Sequence, residues 1–387
     1  MKIVLNVELA HRTMRNKNIK IFIIAGEVSG DVLGAKIMRE MPGATFVGIG
    51  GENMKRTGLK SIFPMSDLAV MGAIEVVAHA RTLARRIRQT VDAIIAEKPN
   101  IVLTIDSPGF ARSVVGRLRK SSAGQDLIAR GLRFHHVVAP QVWAWRPGRA
   151  KKYAQIFDKL YAFFDFEVPY FTKYGLDTMA VGHPISDGLI GKKYTGNNSR
   201  IITMIPGSRM SEVKRLLPLM RDVAHKINAM QSGYEFVIPV VETTREYITQ
   251  ETKNWDVKLK LADSAKRYDL YADTFVAIAA SGTVSAELAM IHVPAIIVYK
   301  MNIITMLLAK PFIRTRWVSL VNILLKRGVY AELLGPYANT KNVLAEFGKL
   351  TKKSARTKMT DALKSADNLW QKPDGAPAQI IANDLLS

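Results

Sequence analysis

Short apolar runs that recur along the chain constrain its fold more than any other feature of the sequence. Each run is long enough for one buried strand, and loops and amphipathic stretches separate most of them; the runs cover residues 19–25, 45–49, 101–105, 134–139, 201–205, 235–239, 275–279 and 295–299. Continuous apolar strands that alternate with helices are typical of parallel sheets covered on both faces. We therefore predict the α/β class, with two doubly wound, Rossmann-like domains that face each other across a cleft.

The boundary between these domains is predicted near Gly182-His183-Pro184, where the first series of runs ends. A length of 387 residues suits two domains. We assign residues 1–185 to the first domain and 186–387 to the second, and the last helix is free in this scheme to pack back on the first domain. Ligands are expected at the carboxyl ends of the strands, as in other open α/β sheets.

Composition excludes several classes of site and suggests the charge of the partner. The chain has no cysteine and only seven histidines, without metal-binding spacing, so we expect no disulfide, no thiolate chemistry and no metal. The net charge of +22 attracts polyanions such as nucleic acid, phosphorylated substrates or anionic lipid. Since no nucleic-acid-binding motif is present, we expect no nucleic acid; solvated lysines explain the excess equally well.

The first glycine-rich loop runs from Gly26 to Gly34 and contains Glu27. It follows a predicted strand and opens a helix whose free N–H groups suit an anion or a hydroxyl. The spacing G-x3-G-x3-G fits neither the dinucleotide fingerprint nor a Walker loop, so NAD is not expected. The alternative is an ordinary helix start, capped by Ser29 or Asp31.

Asp106 follows the third run and is predicted to lie just past a strand end. A carboxylate in that place suits a general base that takes a proton from an alcohol. The alternative is an aspartate that caps the next turn or helix.

Two loops of the second half have the small residues that a nucleotide diphosphate requires. Gly207 and Ser208 expose backbone donors, and Arg209 suits a bidentate contact with a phosphate. The other loop carries Gly282 and Thr283, and Glu287 one helical turn further suits ribose hydroxyls. Each loop alone is a weak signal, but together they favour a nucleotide site over two structural turns.

Trp143, Trp145 and Arg146 follow the fourth run. Tryptophan pairs usually belong to a core; the functional alternative is a platform for a sugar or an acyl chain.

The segment from Ile74 to Arg88 combines an apolar face with a cluster of arginines. The apolar face includes Ile74, Val76, Val77 and Leu83, and the arginines are Arg81, Arg85, Arg86 and Arg88. This pattern favours an interfacial helix on an anionic membrane surface, although a helix packed on a sheet has the same periodicity. Uncharged stretches are too short to span a bilayer and no signal peptide is recognisable. We expect a cytoplasmic protein bound peripherally to the inner membrane.

Taken together, these motifs resemble those of the lipid-A-disaccharide synthases, inverting glycosyltransferases of the GT-B fold. The resemblance covers about residues 19–334 and is carried by Ala25-Gly-Glu-Val-Ser-Gly-Asp31, Leu68-Ala-Val-Met-Gly72, Ile105-Asp-Ser-Pro108, Val142-Trp-Ala-Trp-Arg146, Gly182-His183, Pro206-Gly-Ser-Arg209, Ser281-Gly-Thr283 and Val318-Ser-Leu-Val-Asn322.

The resemblance implies an enzyme of lipid A biosynthesis that condenses UDP-2,3-diacylglucosamine with 2,3-diacylglucosamine 1-phosphate. The products are the β(1→6) disaccharide 1-phosphate and UDP, with the UDP-sugar as a substrate and no cofactor. It also implies that the first domain receives the acceptor, with Asp106 and Glu27 catalytic. Donor contacts carry over onto Arg209, Glu287 and Asn322 in the second domain.

The chain departs from the family pattern in two places, with Gly109 after the catalytic motif and Val321 before Asn322. These departures concern the fit of the acceptor and the shape of a loop. A UDP-N-acetylglucosamine 2-epimerase of the same architecture is the alternative enzyme, and a basic membrane-surface or nucleic-acid-binding scaffold is the non-catalytic one. The oligomeric state stays open.

Overall fold

The fold consists of two α/β units, and each of them is formed by a continuous part of the chain except for the C-terminal residues. A computed structural model describes residues 19–68, 80–144, 146–189, 192–300 and 315–387. One unit comprises the chain up to Pro184 together with Gln371–Ser387, and the other comprises Ile185–Trp370. Each unit contains one parallel sheet of six strands.

In the first unit, helices and strands alternate from the start of the described chain. In order, they are β1 (Lys20–Ala25), α1 (Val28–Glu40), β2 (Thr45–Ile49), α2 (Glu52–Arg56), α3 (Ala80–Glu97), β3 (Ile101–Ile105), α4 (Pro108–Leu118), α5 (Ser122–Ala129), β4 (Arg133–Val137), α6 (Arg149–Ala154), β5 (Lys159–Ala162), α7 (Pro169–Thr172) and β6 (Asp177–Ala180). The strand order is β2-β1-β3-β4-β5-β6. The order reverses between β1 and β3, so this is the topological switch point of the sheet.

The second unit has the same layered arrangement. Its elements are β7 (Ile201–Ile205), α8 (Met210–Met230), β8 (Glu235–Val240), α9 (Glu242–Thr252), β9 (Leu259–Asp263), α10 (Arg267–Ala272), β10 (Val276–Ala280), α11 (Thr283–Met290), β11 (Ala295–Tyr299), α12 (Leu320–Leu325), β12 (Ala331–Leu334), α13 (Thr340–Leu350), α14 (Lys353–Lys364) and α15 (Asp367–Trp370). The order β12-β11-β10-β7-β8-β9 places the switch point between β7 and β10.

The central strands are apolar because both faces of each sheet are covered. All five residues of β3 and of β10 are buried. In the first unit, one face packs on α3 and α4 and the other on α1. The prediction of two doubly wound α/β domains is confirmed.

The last helix, α16 (Pro377–Leu385), packs on the first unit although it follows the second in the chain. Ile381 and Leu385 are buried in the same core as α1. Asp384 accepts hydrogen bonds from Lys159 Nζ at 2.6 Å and from the Tyr161 hydroxyl at 2.7 Å. Because these partners lie on β5, a charged contact and an apolar one together tie the end of the chain to the first sheet.

The prediction that the apolar face of residues 74–88 contacts a membrane is wrong for the residues of this segment that are described and packed in the core. Ile74, Val76 and Val77 lie outside the described residues. Leu83 and Ile87, on α3, pack against the core of the first unit. No helix among the described residues is both long enough and apolar enough to cross a bilayer.

Candidate functional site

The first predicted loops lie at the switch point of the first sheet. Ala25, at the end of β1, is in register with Ile105, at the end of β3. The residues that follow, Gly26-Glu27 and Asp106-Ser107, therefore leave the sheet side by side. A Cβ atom on Gly26 would lie 1.9 Å from Ser107 Oγ, so only glycine permits this approach of the two loops.

Asp106 is held in a backbone conformation that L-residues rarely adopt. Its φ is +56° and that of Ser107 is +45°, and Val138 at the end of the neighbouring β4 has a φ of +82°. Such angles cost on the order of 1–3 kcal/mol each and occur chiefly where function requires them. The Asp106 N–H donates to the Val137 carbonyl at 3.1 Å, which ties the strained turn to β4.

The Asp106 carboxylate has little to stabilise its charge. It accepts one hydrogen bond, from the Ser107 N–H at 2.8 Å, which is its only hydrogen bond among the described residues. Burial raises the pKa of Asp106 above its ordinary value, and this one hydrogen bond opposes the shift. Ser107 is the N-cap of α4 and makes no side-chain cap bond. The alternative interpretation of Asp106 as a helix cap is therefore wrong.

Glu27 and Asp31 have different positions in the first loop. Glu27 is the half-buried N-cap residue of α1, which begins at Val28. Asp31 is buried and accepts from the backbone N–H groups of Gly51, Asn53 and Met54 at 2.7–3.0 Å. Burial alone would raise the pKa of Asp31, but these bonds and one from the Asn53 side chain lower it overall. Asp31 thus caps α2 rather than its own helix, and the expectation that Ser29 or Asp31 caps α1 is wrong.

Trp143 is anchored by a carboxylate that the sequence analysis missed. Its indole Nε1 donates to Glu167 Oε1 at 3.1 Å, and the N–H groups of Phe163 and Phe164 donate to the other oxygen at 3.2 Å. Glu167 is 5% exposed, and burial raises its pKa to about 7 against these three bonds. Trp143 itself is half-buried, and Trp145 lies outside the described residues.

In the second unit, a cavity of about 410 Å³ opens at the switch point. Ile205 at the end of β7 pairs with Ala279 near the end of β10, which brings the two predicted loops together. Five of the predicted residues line this cavity: Ser208, Arg209, Gly282, Thr283 and Glu287. Its volume is within the range usual for small-molecule sites.

The Gly207–Glu212 turn brings a positive charge to the rim of the cavity. Gly207 has a φ of +110°, and a Cβ atom there would lie 2.4 Å from Glu212 Oε2. Arg209 Nη1 contacts Glu212 Oε1 at 3.2 Å, but its side chain is 61% exposed. An anion that enters the cavity therefore meets an accessible guanidinium.

Glu287 is buried and already bonded on the floor of the cavity. Arg267 donates to it from Nη2 at 3.0 Å and from Nε at 3.3 Å, and the Tyr268 hydroxyl donates at 3.1 Å. Burial would lower the pKa of Arg267, but its bonds to Glu287 and the negative charge there raise it. Sequence reasoning missed Arg267 and Tyr268 because they precede Glu287 by about 20 residues and belong to no motif.

Asn322 lies in a closed network on α12. Its Oδ1 accepts from the Val329 and Tyr330 N–H groups, and its Nδ2 donates to the Tyr330 carbonyl and to Glu332 Oε1, all at 2.8–2.9 Å. Its side chain is fully buried. These contacts are those of a residue that shapes a loop, and the expected donor contact of Asn322 stays a prediction.

Within the part of the chain that the structure describes, no three His, Asp or Glu side chains are grouped so as to hold a metal ion.

Sequence comparison gives one consistent result. The family model described as lipid-A-disaccharide synthetase matches residues 21–379. A lipid-A-disaccharide synthase of Rhodospirillum centenum is 38% identical over 390 residues, which cover 96% of this chain and 95% of that protein. The synthase of Gluconobacter oxydans is 35% identical, over 95% of this chain and 90% of the relative.

Solved structures show the fold. MurG of Acinetobacter baumannii superimposes with a TM-score of 0.62 at 11% identity, covering 95% of this chain and 99% of that one. The S. aureus MnaA–UDP co-structure has a TM-score of 0.62 at 12% identity, covering 95% and 96%. The UDP-GlcNAc 2-epimerase of Neisseria meningitidis, bound to UDP-GlcNAc, has a TM-score of 0.61 at 12% identity, covering 95% and 100%. At these identities the likeness concerns the fold alone, which is of the GT-B type.

Proposed function

The chain belongs to the lipid-A-disaccharide synthetase family, and from this we propose that it transfers 2,3-diacylglucosamine from UDP to O6 of 2,3-diacylglucosamine 1-phosphate. The C1–O bond to UDP breaks, and UDP leaves with the electron pair. The new C1–O6 bond forms from the opposite face, which gives the β(1→6) disaccharide 1-phosphate.

Asp106 is the general base of this reaction and takes the proton of the acceptor's 6-hydroxyl. Its position at a switch point, its strained backbone and its sparsely bonded carboxylate support this role. A pKa above the ordinary value makes an aspartate a stronger base toward an alcohol. Glu27, on the loop that meets Ser107, is the second carboxylate of this site and orients the acceptor.

The UDP moiety binds in the cavity of the second unit. Ser208, Arg209 and the Gly282-Thr283 turn contact the diphosphate, where Arg209 offsets the charge that develops on the leaving group. Glu287 accepts from the ribose hydroxyls, and Arg267 and Tyr268 fix its orientation. Residues 1–185 thus bind the acceptor, residues 186–370 bind the donor, and Gln371–Ser387 is structurally part of the acceptor unit.

The observation that carries this proposal is the family match over residues 21–379. Incubation of the protein with UDP-diacylglucosamine and diacylglucosamine 1-phosphate should yield the disaccharide 1-phosphate, detected by mass spectrometry. The epimerase alternative predicts instead a new UDP-sugar epimer from the donor alone. Failure to form the disaccharide with both substrates present would remove the proposed function.

Membrane contact belongs to the same proposal, because both substrates carry two acyl chains. We place the protein on the cytoplasmic, anionic surface of the inner membrane, in contact through the segment from Ile74 to Arg88. The described support is the exposed position of Arg81, Arg85 and Arg88 on α3. Arg86 is instead paired with Asp67 at 2.6 Å, so it is not part of this surface.

A further inference from the structure

A second cavity, in the first unit, is lined mainly by basic residues. It has a volume of about 320 Å³, and its lining consists of Arg112, Arg146, Gly148, Arg149 and Lys152. Arg112 comes from α4, and Arg149 and Lys152 come from one face of α6, three residues apart. Its described lining residues include no acidic side chain. We call it the basic cavity.

Two arginines of the basic cavity and a neighbouring tyrosine have buried donors without acceptors among the described residues. The Nε atoms of Arg112 and Arg149 are buried and have no hydrogen-bond partner among the described residues. The hydroxyl of Tyr153, one turn along α6 from Arg149, is also buried and unpartnered. Elsewhere in this unit, half-buried arginines are paired, as Arg86 is with Asp67 and Arg119 is with Asp158. A buried donor without a partner destabilises the folded protein, and a ligand that accepts its hydrogen bond would offset this cost.

Electrostatics favours an anion in this place. Burial lowers the pKa of Arg149, and the charges of Arg112 and Arg146 lower it further, against the opposing influence of Tyr153. The cations thus repel one another in a partly desolvated place. A doubly charged group with several oxygens would relieve that repulsion, and guanidinium forks match a phosphate in geometry.

The basic cavity also lies close to the proposed general base. Arg112 is four residues into α4, and that helix starts two residues after Asp106. The charges of Arg149, Arg112 and Asp106 all influence the pKa of the Tyr153 hydroxyl, so Asp106 lies within electrostatic range of the same group as the two arginines. In a 2-amino sugar 1-phosphate, C1 carries the phosphate and C5 carries the CH2 group of the 6-hydroxyl, and both carbons adjoin the ring oxygen. The phosphate and the reacting hydroxyl of one sugar ring are therefore close to each other, as a site that combines the basic cavity with Asp106 requires.

We propose that the basic cavity binds the phosphate monoester of the acceptor and thereby selects a phosphorylated acceptor and orients its hydroxyl toward Asp106. This inference rests on the proposed function and assigns the part of the site that recognises the acceptor. An anionic lipid headgroup has the same chemistry, and the experiment below separates the two sources.

The test compares two acceptors in the full-length protein: diacylglucosamine 1-phosphate and the same lipid with a 1-O-methyl group in place of the phosphate. In the double variant Arg112→Gln/Arg149→Gln, we expect KM for the phosphorylated acceptor to rise about 10- to 100-fold, because charge-assisted hydrogen bonds are lost. KM for the UDP-sugar and turnover of the methyl acceptor should stay as in the wild type. The matched control is Lys151→Gln, an exposed lysine of α6 that does not line the cavity.

Three results would overturn the inference. They are an unchanged preference for the phosphate in the folded double variant, an equal loss with the methyl acceptor, and an equal loss in Lys151→Gln. A further experiment measures the binding of the double variant to vesicles of anionic lipid. If vesicle binding is reduced while the preference for the phosphorylated acceptor is unchanged, the basic cavity binds a lipid headgroup instead.

Folding is controlled by thermal denaturation. If the double variant melts early, the exposed Lys152→Gln variant carries the test, with an expected rise of two- to fivefold in KM for the phosphorylated acceptor alone. An unchanged KM in that variant would then reject the inference. If the wild-type protein forms no disaccharide from either acceptor, the proposed function fails, whereas disaccharide formation without discrimination rejects only the role of the basic cavity.

Discussion

Near the switch point of the first unit, Asp106, Arg112 and Arg149 have no ion pair among the described residues, whereas charged side chains at the switch point of the second unit are paired. Among the described residues, Asp106 accepts only from its neighbour's N–H, and the Nε–H groups of Arg112 and Arg149 donate to no acceptor. In the second unit, Arg267 and Tyr268 hold Glu287, and Glu212 contacts Arg209. The same layered fold therefore produces two electrostatically different edges.

This difference suits two different roles, proton transfer in the first unit and nucleotide binding in the second. A base that takes a proton is more effective when its charged form is not already stabilised, so unpaired charge and a strained backbone suit the first unit. A site that binds a nucleotide gains from side chains that hold their bound geometry before the ligand arrives, and the pairs in the second unit provide this. The comparison predicts that loss of Asp106 in the first unit lowers kcat, and that substitutions at the switch point of the second unit change donor affinity or stability.

The largest effect is expected for Asp106→Ala. Loss of a general base typically lowers turnover by roughly 10²–10⁴-fold, while UDP affinity and the melting temperature should stay close to those of the wild type. Steady-state kinetics and calorimetric titration with UDP measure both quantities, and Asp126→Ala on α5 serves as an exposed control. Retention of more than about a tenth of the turnover would move the role of the base to another residue, with Glu27 first.

The pH dependence follows from the raised pKa of Asp106. The base acts only when it is ionised, so kcat should fall as pH decreases through a value above 3.8, the ordinary one. The folded protein binds this proton more tightly than the unfolded chain, so ionisation lowers stability as pH rises through the same range. Asp106→Asn should therefore melt higher than the wild type at neutral pH and lose that advantage below pH 4. A kcat profile flat down to the ordinary aspartate range would contradict this.

In the second unit, Arg209→Ala should weaken UDP binding about 10- to 100-fold, since one charged hydrogen bond is worth about 1.5–3 kcal/mol. The contact of Arg209 with Glu212 is exposed, so its loss should leave the melting temperature unchanged. The control for net charge is Arg215→Ala, because Arg215 lies on α8, the helix that begins after Arg209, and does not line the cavity. Unchanged affinity in Arg209→Ala would remove the diphosphate from this cavity.

The sequence predicted the central strands and loop ends better than the edges. The runs at residues 101–105, 201–205 and 295–299 coincide with β3, β7 and β11, because a strand buried on both faces reads as continuous apolar residues. The run at 45–49 coincides with β2, which is an edge strand that was nevertheless predicted. Strands β6, β9 and β12 were missed because edge strands carry polar residues on a half-covered face, as with Asp177 and Lys260. The interior strand β5 was missed because it has only four residues.

The partners of the site residues could not be predicted for a different reason. Motifs locate residues that end strands, such as Asp106 and Arg209, because local periodicity marks those positions. The contacts of Glu287 with Arg267, of Asn322 with Glu332 and of Trp143 with Glu167 join residues on different elements, and each depends on how the sheet aligns them. A buried glutamate or arginine has no local signature, so its role becomes visible only in the fold.

Substitution of Asn322 tests whether its hydrogen bonds in the second unit stabilise the fold or bind the donor. Asn322→Ala leaves the Val329 and Tyr330 N–H groups buried without their acceptor, and we expect a loss of about 1–3 kcal/mol in the free energy of unfolding. Denaturant titration measures this, and Asn198→Ala, at an exposed position of the second unit, is the control. A stable variant with weaker UDP binding would instead establish the donor contact that the family resemblance implies.

The smallest effect concerns the outer surface of α3, where the first unit again has exposed positive charge. Arg81, Arg85 and Arg88 are exposed there, and each arginine near an anionic leaflet contributes about 1 kcal/mol, less at high salt. Arg85→Gln should therefore weaken binding to anionic vesicles about fivefold in co-sedimentation and leave weak binding to neutral vesicles unchanged. Lys353→Gln changes an exposed lysine of α14 in the second unit, removes the same charge and should leave vesicle binding as it is.

Leu83→Ser should lower the melting temperature instead, because Leu83 packs on the core. Equal effects of Arg85→Gln and Lys353→Gln would mean that the membrane responds to net charge alone, and the assignment of the membrane surface to the segment from Ile74 to Arg88 would then be wrong.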